Sequence, residues 1–260
     1  MYQETFSRFM KLIRPLMKTQ GFTSKGNNFY KRHPQGNIGI INFQRNRDGL
    51  PKFTINIGIY SLVLAEFFLA KFNQNKVAEY PLLGDYHWDT RVGSLVPKEH
   101  PSRQKDEFWQ EVGDKWWEYN DKTDVEELFK EISPLILDYG IPAINQHITD
   151  EQLIDEWLIL AESTKKHAEI EVGELRARVQ ILRDLSVLLL AYGKKEKFKM
   201  IMSEFNKYLQ HHPEYTGLKE DYDKLFKEPT FNIKELTSEK RKIYEEESSS
   251  SDHKIKKIKP

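Results

Sequence analysis

The sequence predicts an α+β fold, an antiparallel sheet with packed helices followed by a smaller all-α helical domain. Three observations carry this reading. A helical stripe of Phe6, Phe9, Met10, Ile13, Leu16 and Met17 precedes three extended segments at 28–33, 37–45 and 52–60. Turn chemistry separates those segments, Pro34-Gln35-Gly36 and then Asp48-Gly49-Leu50-Pro51, and such short connections suit an antiparallel meander. From Thr149 onward the apolar period is helical throughout.

Each element follows from its residues. Pro15 removes a backbone donor and is expected to kink the first helix, which Gly21 then caps. In 37–45 the apolar positions are Ile38 and Ile40, then Ile41 and Phe43; this switch of phase predicts a bulge or burial on both faces. In 52–60, Phe53, Ile55, Ile57 and Ile59 alternate with Thr54, Asn56, Gly58 and Tyr60, which predicts one core face and one polar face. Leu64, Phe67, Phe68 and Phe72 predict a helix over 61–74. After a polar loop, 91–95 is expected to rejoin the sheet and 115–119 to form a further strand. A stripe from Val125 to Tyr139, interrupted at Pro134, predicts a second helix laid on the sheet and closes a domain over 1–147.

A helical domain is expected over 148–228. Thr149 with Gln152 reads as a capping box, a stripe from Leu175 to Leu189 ends at Gly193, and a third runs from Phe198 to Leu209. The last two resemble one helical hairpin, and no repeat recurs at a fixed period. A fourth stripe covers Leu218 to Phe226. Over 229–260 the stripe is lost, and the serine run 248–251 with Lys254, Lys256, Lys257 and Lys259 reads as a disordered basic tail.

The segments GFTSKGNNFYKR, IINFQRNR, FTINIGIY and WDTRVGSL resemble a bacterial family catalogued only as a domain of unknown function, over residues 1–147. The resemblance implies a fold and brings no established activity.

Composition excludes several classes. The chain contains no cysteine, so thiol catalysis, disulfides and cysteine-ligated metals are ruled out. No apolar run approaches the roughly 20 residues of a membrane span, and the N-terminal residues mix acids and bases unlike a secretory leader. A cytoplasmic protein that meets no membrane is expected. The zero net charge hides a segregation: residues 1–60 hold ten Lys/Arg against two acids, and residues 61–140 nine against sixteen. Either basic and acidic elements pack side by side, or a positive patch meets an anionic partner.

Dinucleotide fingerprint, phosphate loop, nucleophile elbow and paired-histidine helix motifs are all missing, so no cofactor is expected and catalysis is disfavoured. What remains is Asp85, His87 and Asp89, with Arg91, within seven positions; residues two apart on an extended segment share a side, as an acid–base pair requires. A hydrolase centred there is one alternative. No second carboxylate–histidine cluster completes a metal site. The stronger candidate is the polar side of the meander, with Lys31, Arg45, Arg47, Lys52, Asn56 and Arg91 as binding residues. Amides there supply donors and acceptors together, and arginines supply forked donors for carboxylate or phosphate. The leading expectation is a non-catalytic binding protein, such as an immunity-type protein that captures a toxin or an enzyme. A nucleic-acid-binding module built on the basic N-terminal segment is the other alternative.

Overall fold

The computed structural model describes residues 2–71, 77–163 and 172–211, and two units divide them. The first comprises Met1–His33, Asn37–Tyr60 and Ala78–Ile148; the second comprises Pro34–Gly36, Ser61–Val77 and Thr149–Pro260. The basic tail expected over 229–260, and the helical stripe at 218–226, lie outside the described residues.

The first unit opens with α1 (Tyr2–Thr19), which buries Phe6, Phe9, Met10, Ile13 and Met17 and runs through Pro15. Gly21 ends it at φ +83°, and the N–H of Phe22 reaches back to the Met17 carbonyl at 3.0 Å, a Schellman closure. Strands β1 (Thr23–Lys25), β2 (Asn28–Arg32), β3 (Ile38–Arg45) and β4 (Lys52–Tyr60) then form an antiparallel meander. On the far edge of β4, β5 (Trp88–Arg91) pairs with Asn56–Ile59 and β6 (Trp117–Glu118) pairs with Lys52 and Phe53. The β3–β4 register runs unbroken from Ile38↔Tyr60 to Arg45↔Phe53, so the phase switch in β3 reflects burial on both faces and not a bulge.

One face of the sheet carries Phe53, Ile55, Ile57 and Ile59, all fully buried. Phe53 meets Phe6 and Phe9 of α1 at ring distances of 5.3 and 5.4 Å. Further cover comes from α7 (Ile141–His147) and the π turn (Ile136–Gly140) that joins it to α6 (Val125–Leu135), which itself packs on α1. Two prolines shape this segment: Pro134 lies inside α6, and Pro142 follows the π turn without an N–H to continue the α pattern. Gly39 admits the Ile144 side chain so closely that a Cβ there would sit 2.3 Å from it. Helix α1 exposes Arg8, Lys11, Arg14 and Lys18 and packs against α6, which exposes Glu126, Glu127 and Glu131.

The opposite face departs from expectation. Alternation in β4 predicted an open polar side, yet every residue from Phe53 to Tyr60 is buried. The cover is irregular chain without a hydrophobic period. Tyr86 lies against Gly58, where a Cβ would fall 2.1 Å from its ring, and Tyr80 packs edge-on to Tyr30 at 5.3 Å. A second correction concerns 91–95. The strand ends at Arg91, and Val92–Leu95 turns into the short helix α3, because Val92 is buried and the Gly93 carbonyl takes the Trp109 indole N–H at 2.8 Å.

In the second unit α2 (Leu62–Lys71), α8 (Asp150–Ser163), α9 (Val172–Ala191) and α10 (Lys195–His211) pack by helical contacts, α9 touching each of the others. The helix expected over 61–74 is placed with the sheet by its position in the sequence; the described part, Leu62–Lys71, belongs instead to this unit. Thr149 and Gln152 exchange the two bonds of a capping box, at 3.0 and 3.2 Å. Gly193, at φ +67°, closes α9 with the Lys194 N–H on the Leu189 carbonyl. The buried Asp150 carboxylate accepts the Ser61 and Tyr192 hydroxyls at 2.7 and 2.9 Å.

Asp184 is also buried, and desolvation pushes its carboxyl up to about 6 although the Arg183 guanidinium beside it pulls the other way. A carboxyl raised on folding holds its proton longer in the native state than in the unfolded one. Its contribution to stability is therefore complete below the ordinary value near 4 and is lost as the pH rises through about 6, a swing of roughly 3 kcal/mol. Asp184→Asn is expected to raise the thermal midpoint at pH 8 and to flatten the slope between pH 4 and 7, followed by circular dichroism. A lower midpoint at pH 8 would mean that the Arg183 pair outweighs the desolvation.

Candidate functional site

Alternation along the strands places Asn28 of β2, Asn42 of β3, Asn56 of β4 and Arg91 of β5 in one transverse row, since the registers pair Asn28↔Asn42, Asn42↔Asn56 and Asn56↔Arg91. Hydrogen bonds join the row from end to end. Arg91 Nε donates to Asn56 Oδ1 at 3.2 Å, Asn56 Nδ2 to Asn42 Oδ1 at 3.0 Å, and Asn42 Nδ2 to Asn28 Oδ1 at 2.6 Å. Asn56 Nδ2 also donates to Gln44 Oε1 at 2.9 Å. A guanidinium can only donate, so Arg91 fixes the Asn56 amide with its oxygen inward, and that choice propagates to Asn42 and Asn28. The chain of dipoles is polarised away from Arg91. It delivers the Asn28 NH₂ at the outer end, beside the Tyr30 phenol, whose pKa burial raises.

The inner end of the row is pinned by irregular chain. Arg91 pairs with Asp114, which also accepts the Trp116 indole N–H at 3.1 Å. The Trp116 ring receives two cations, Arg91 at 5.6 Å and Lys52 at 5.7 Å from its centroid. Two buried oxygens here, Thr54 Oγ1 and Asp114 Oδ1, have no hydrogen-bond partner among the described residues. The 101–116 segment carries α4 (Pro101–Gln104) and α5 (Glu107–Val112), and the N-cap of α5, Asp106, accepts the Trp109 N–H at 2.9 Å and pairs with Lys115. The Lys115 hydrogen bond, then the backbone donors of the cap, hold the Asp106 carboxyl below its ordinary value.

At the outer end, where β2 stops, an open cleft of about 550 Å³ lies beside β3. Six carboxamides line it, Gln3, Asn27, Asn28, Asn42, Gln44 and Asn46, with Arg45 as the single charged residue and no carboxylate.

The structure divides the six predicted binding residues. Lys52, Asn56 and Arg91 come together around Trp116. Lys31 and Arg45 lie on the other face by alternation: Lys31 donates to Asn145 Oδ1 at 3.0 Å, and Arg45 lies over the Phe6 ring at 5.7 Å while bordering the cleft. Arg47 is exposed in the β3–β4 turn. Gln3, Asn27, Asn46, Asp114 and the role of Trp116 were not found from sequence; the one available signal was the density of asparagine at 27, 28, 42, 46 and 56.

Asp85 and His87 are held by separate partners. Asp85 caps its own turn by accepting the Leu82 N–H at 2.7 Å, and the His87 ring lies against Tyr60 at 5.3 Å. Desolvation pushes the Asp89 carboxyl up and Arg91 opposes it, but the residue is exposed and solvent screens the effect. Among the described residues no three His, Asp or Glu side chains are grouped to hold a metal ion, and no helix is long and apolar enough to cross a membrane.

No curated protein and no solved structure matches the chain. A family model described as Domain of unknown function (DUF4304) matches residues 13–146, more than half of the sequence and the part that carries the sheet, the amide row and most of the cleft. The chain belongs to the DUF4304 family.

Proposed function

We propose that the first unit is a non-catalytic binding module, working in the cytoplasm, that captures a partner protein of the kind an immunity protein silences. The observation that carries this reading is the amide row and the cleft at its end. Carboxamides oriented by a guanidinium form a pre-organised surface, which lowers the entropy lost on binding, and none of the groups is placed as a nucleophile beside a base. A nucleic-acid reading has less support. The basic residues of the first 60 positions are split between the two sheet faces, the turn and α1, so they make no continuous stripe along which a phosphate backbone could run.

The test is site-specific photo-crosslinking in cells. Leu50 lines the cleft and is 52% exposed, so a benzoylphenylalanine there reaches a bound partner without disturbing the core. A discrete protein adduct is expected from position 50 and none from the exposed turn residue Lys122. Adducts to nucleic acid alone, or equal yields at both positions, would overturn the reading.

A further inference from the structure

The cleft is an edge. Its lining includes Asn28, Asn42 and Gln44 from one face of the sheet and Arg45, Gln3 and Tyr119 from the other, which is possible only where β3 lacks a neighbour. Strand β2 makes its last pair at Asn28↔Asn42, and Phe43 still donates its N–H to the Asn27 carbonyl at 3.0 Å. Three residues later the Asn46 N–H donates to the Lys52 carbonyl across the hairpin at 2.9 Å. Backbone groups alternate along an antiparallel strand, so the odd positions of β3 point away from β4, and Arg45 turns its N–H and C=O toward the cleft.

We propose that this notch takes an extended acidic peptide segment of a partner protein as an added strand on the edge of β3. The proposal rests on the binding role given to the same unit above and names the chemistry of what is bound. A strand laid there extends the sheet by backbone hydrogen bonds at Arg45, and its side chains alternate between two chemically different walls. One wall offers the carboxamides of Asn28, Asn42 and Gln44, the second the Arg45 guanidinium. Both walls supply donors, the lining holds no carboxylate to repel an acid, and a planar fork suits a carboxylate. A glycan is disfavoured because the lining aromatics, Phe43 and Tyr119, are buried at 1% and 4% exposure and offer no open ring to a sugar face.

Three fluorescein-labelled octapeptides test this by anisotropy with the full chain: alternating Thr and Glu, alternating Thr and Lys, and the Thr–Glu peptide N-methylated at every second residue. The Thr–Glu peptide is expected to bind at least tenfold more tightly than the Thr–Lys peptide, and N-methylation to remove binding. Arg45→Glu is expected to reverse the charge preference with the thermal midpoint kept, because Arg45 is exposed. Leu50→Asp, also exposed, is a second variant expected to weaken the Thr–Glu peptide. Equal binding of the acidic and basic peptides, or of the N-methylated one, would overturn the proposal. So would a dimer in sedimentation that the Thr–Glu peptide cannot dissociate, since the edge would then belong to a second copy. If the position-50 crosslink persists while the peptides fail, the binding role stands and the strand-addition mode does not.

Discussion

Ile57→Asp is expected to unfold the first unit. Ile57 is 0% exposed in the middle of β4, flanked by β3 on one side and β5 on the other. On its own face a Cβ at Gly140 would already lie 3.3 Å from its Cδ1, so the packing leaves no space for water to follow a carboxylate inward. The substitution removes a buried aliphatic chain and inserts a charge without a partner; together these cost about 5 kcal/mol or more, comparable with the whole stability of many domains. Ile57→Val keeps the shape and is expected to cost about 1 kcal/mol. Hydrogen exchange distinguishes the outcomes: the aspartate variant should lose protection across 38–60. A folded aspartate variant with protection intact would mean that the centre of the sheet is not the core described here.

That centre was legible because period two and period 3.6 are direct consequences of backbone geometry. Phe53, Ile55, Ile57 and Ile59 announced a buried face, and Phe6, Phe9, Met10 and Ile13 announced the helix that covers part of it. Burial of the second face was legible only as one of two meanings of the Ile40–Ile41 phase switch in β3, and β4 gave no sign of it. Its cover comes from Tyr80, Tyr86 and Trp116, single aromatics on irregular chain whose neighbours repeat nothing. Period two in β4 records a difference in side-chain polarity between faces, and Thr54 and Asn56 are buried polar residues that share the pattern of exposed ones.

The candidate site divides along the same line. Asn56 and Lys52 could be placed on one face by alternation, and Arg91 joined them through the register of β5. Arg45 could be numbered onto the opposite face by the same rule, yet grouping by charge put it with them. Asp114 and Trp116 were beyond reach, because their approach to Arg91 depends on how the 92–117 chain folds back. That return is set by contacts distant in sequence, the Trp109 indole on the Gly93 carbonyl and Lys115 on Asp106.

The return passes over one residue with no side chain, and this gives the RVGSL motif a physical meaning. Gly93→Ala is expected to destabilise the first unit by about 3 kcal/mol or more and to dismantle the inner end of the amide row. A Cβ at position 93 would lie 2.6 Å from the Lys115 backbone nitrogen and 2.8 Å from its Cβ. Backbone cannot turn aside as a side-chain tip does, so the 114–117 segment must lift. Lifting separates Asp114 from Arg91 and strains the Phe53↔Trp117 pair that adds β6 to β4. It also pulls on the Gly93 carbonyl, the partner of a fully buried indole N–H, and a buried donor left without its acceptor costs a further 1–3 kcal/mol by the usual scale, roughly. Gly84→Ala is the matched control, because nothing lies within 4 Å of a Cβ there and its backbone is not left-handed. Urea midpoints of both variants, read by tryptophan fluorescence, check the expectation: a large drop for Gly93→Ala beside an unchanged Gly84→Ala. Near-equal midpoints would show that Lys115 does not cross Gly93 at contact distance, and the anchoring of Arg91 by Asp114 would lose its basis.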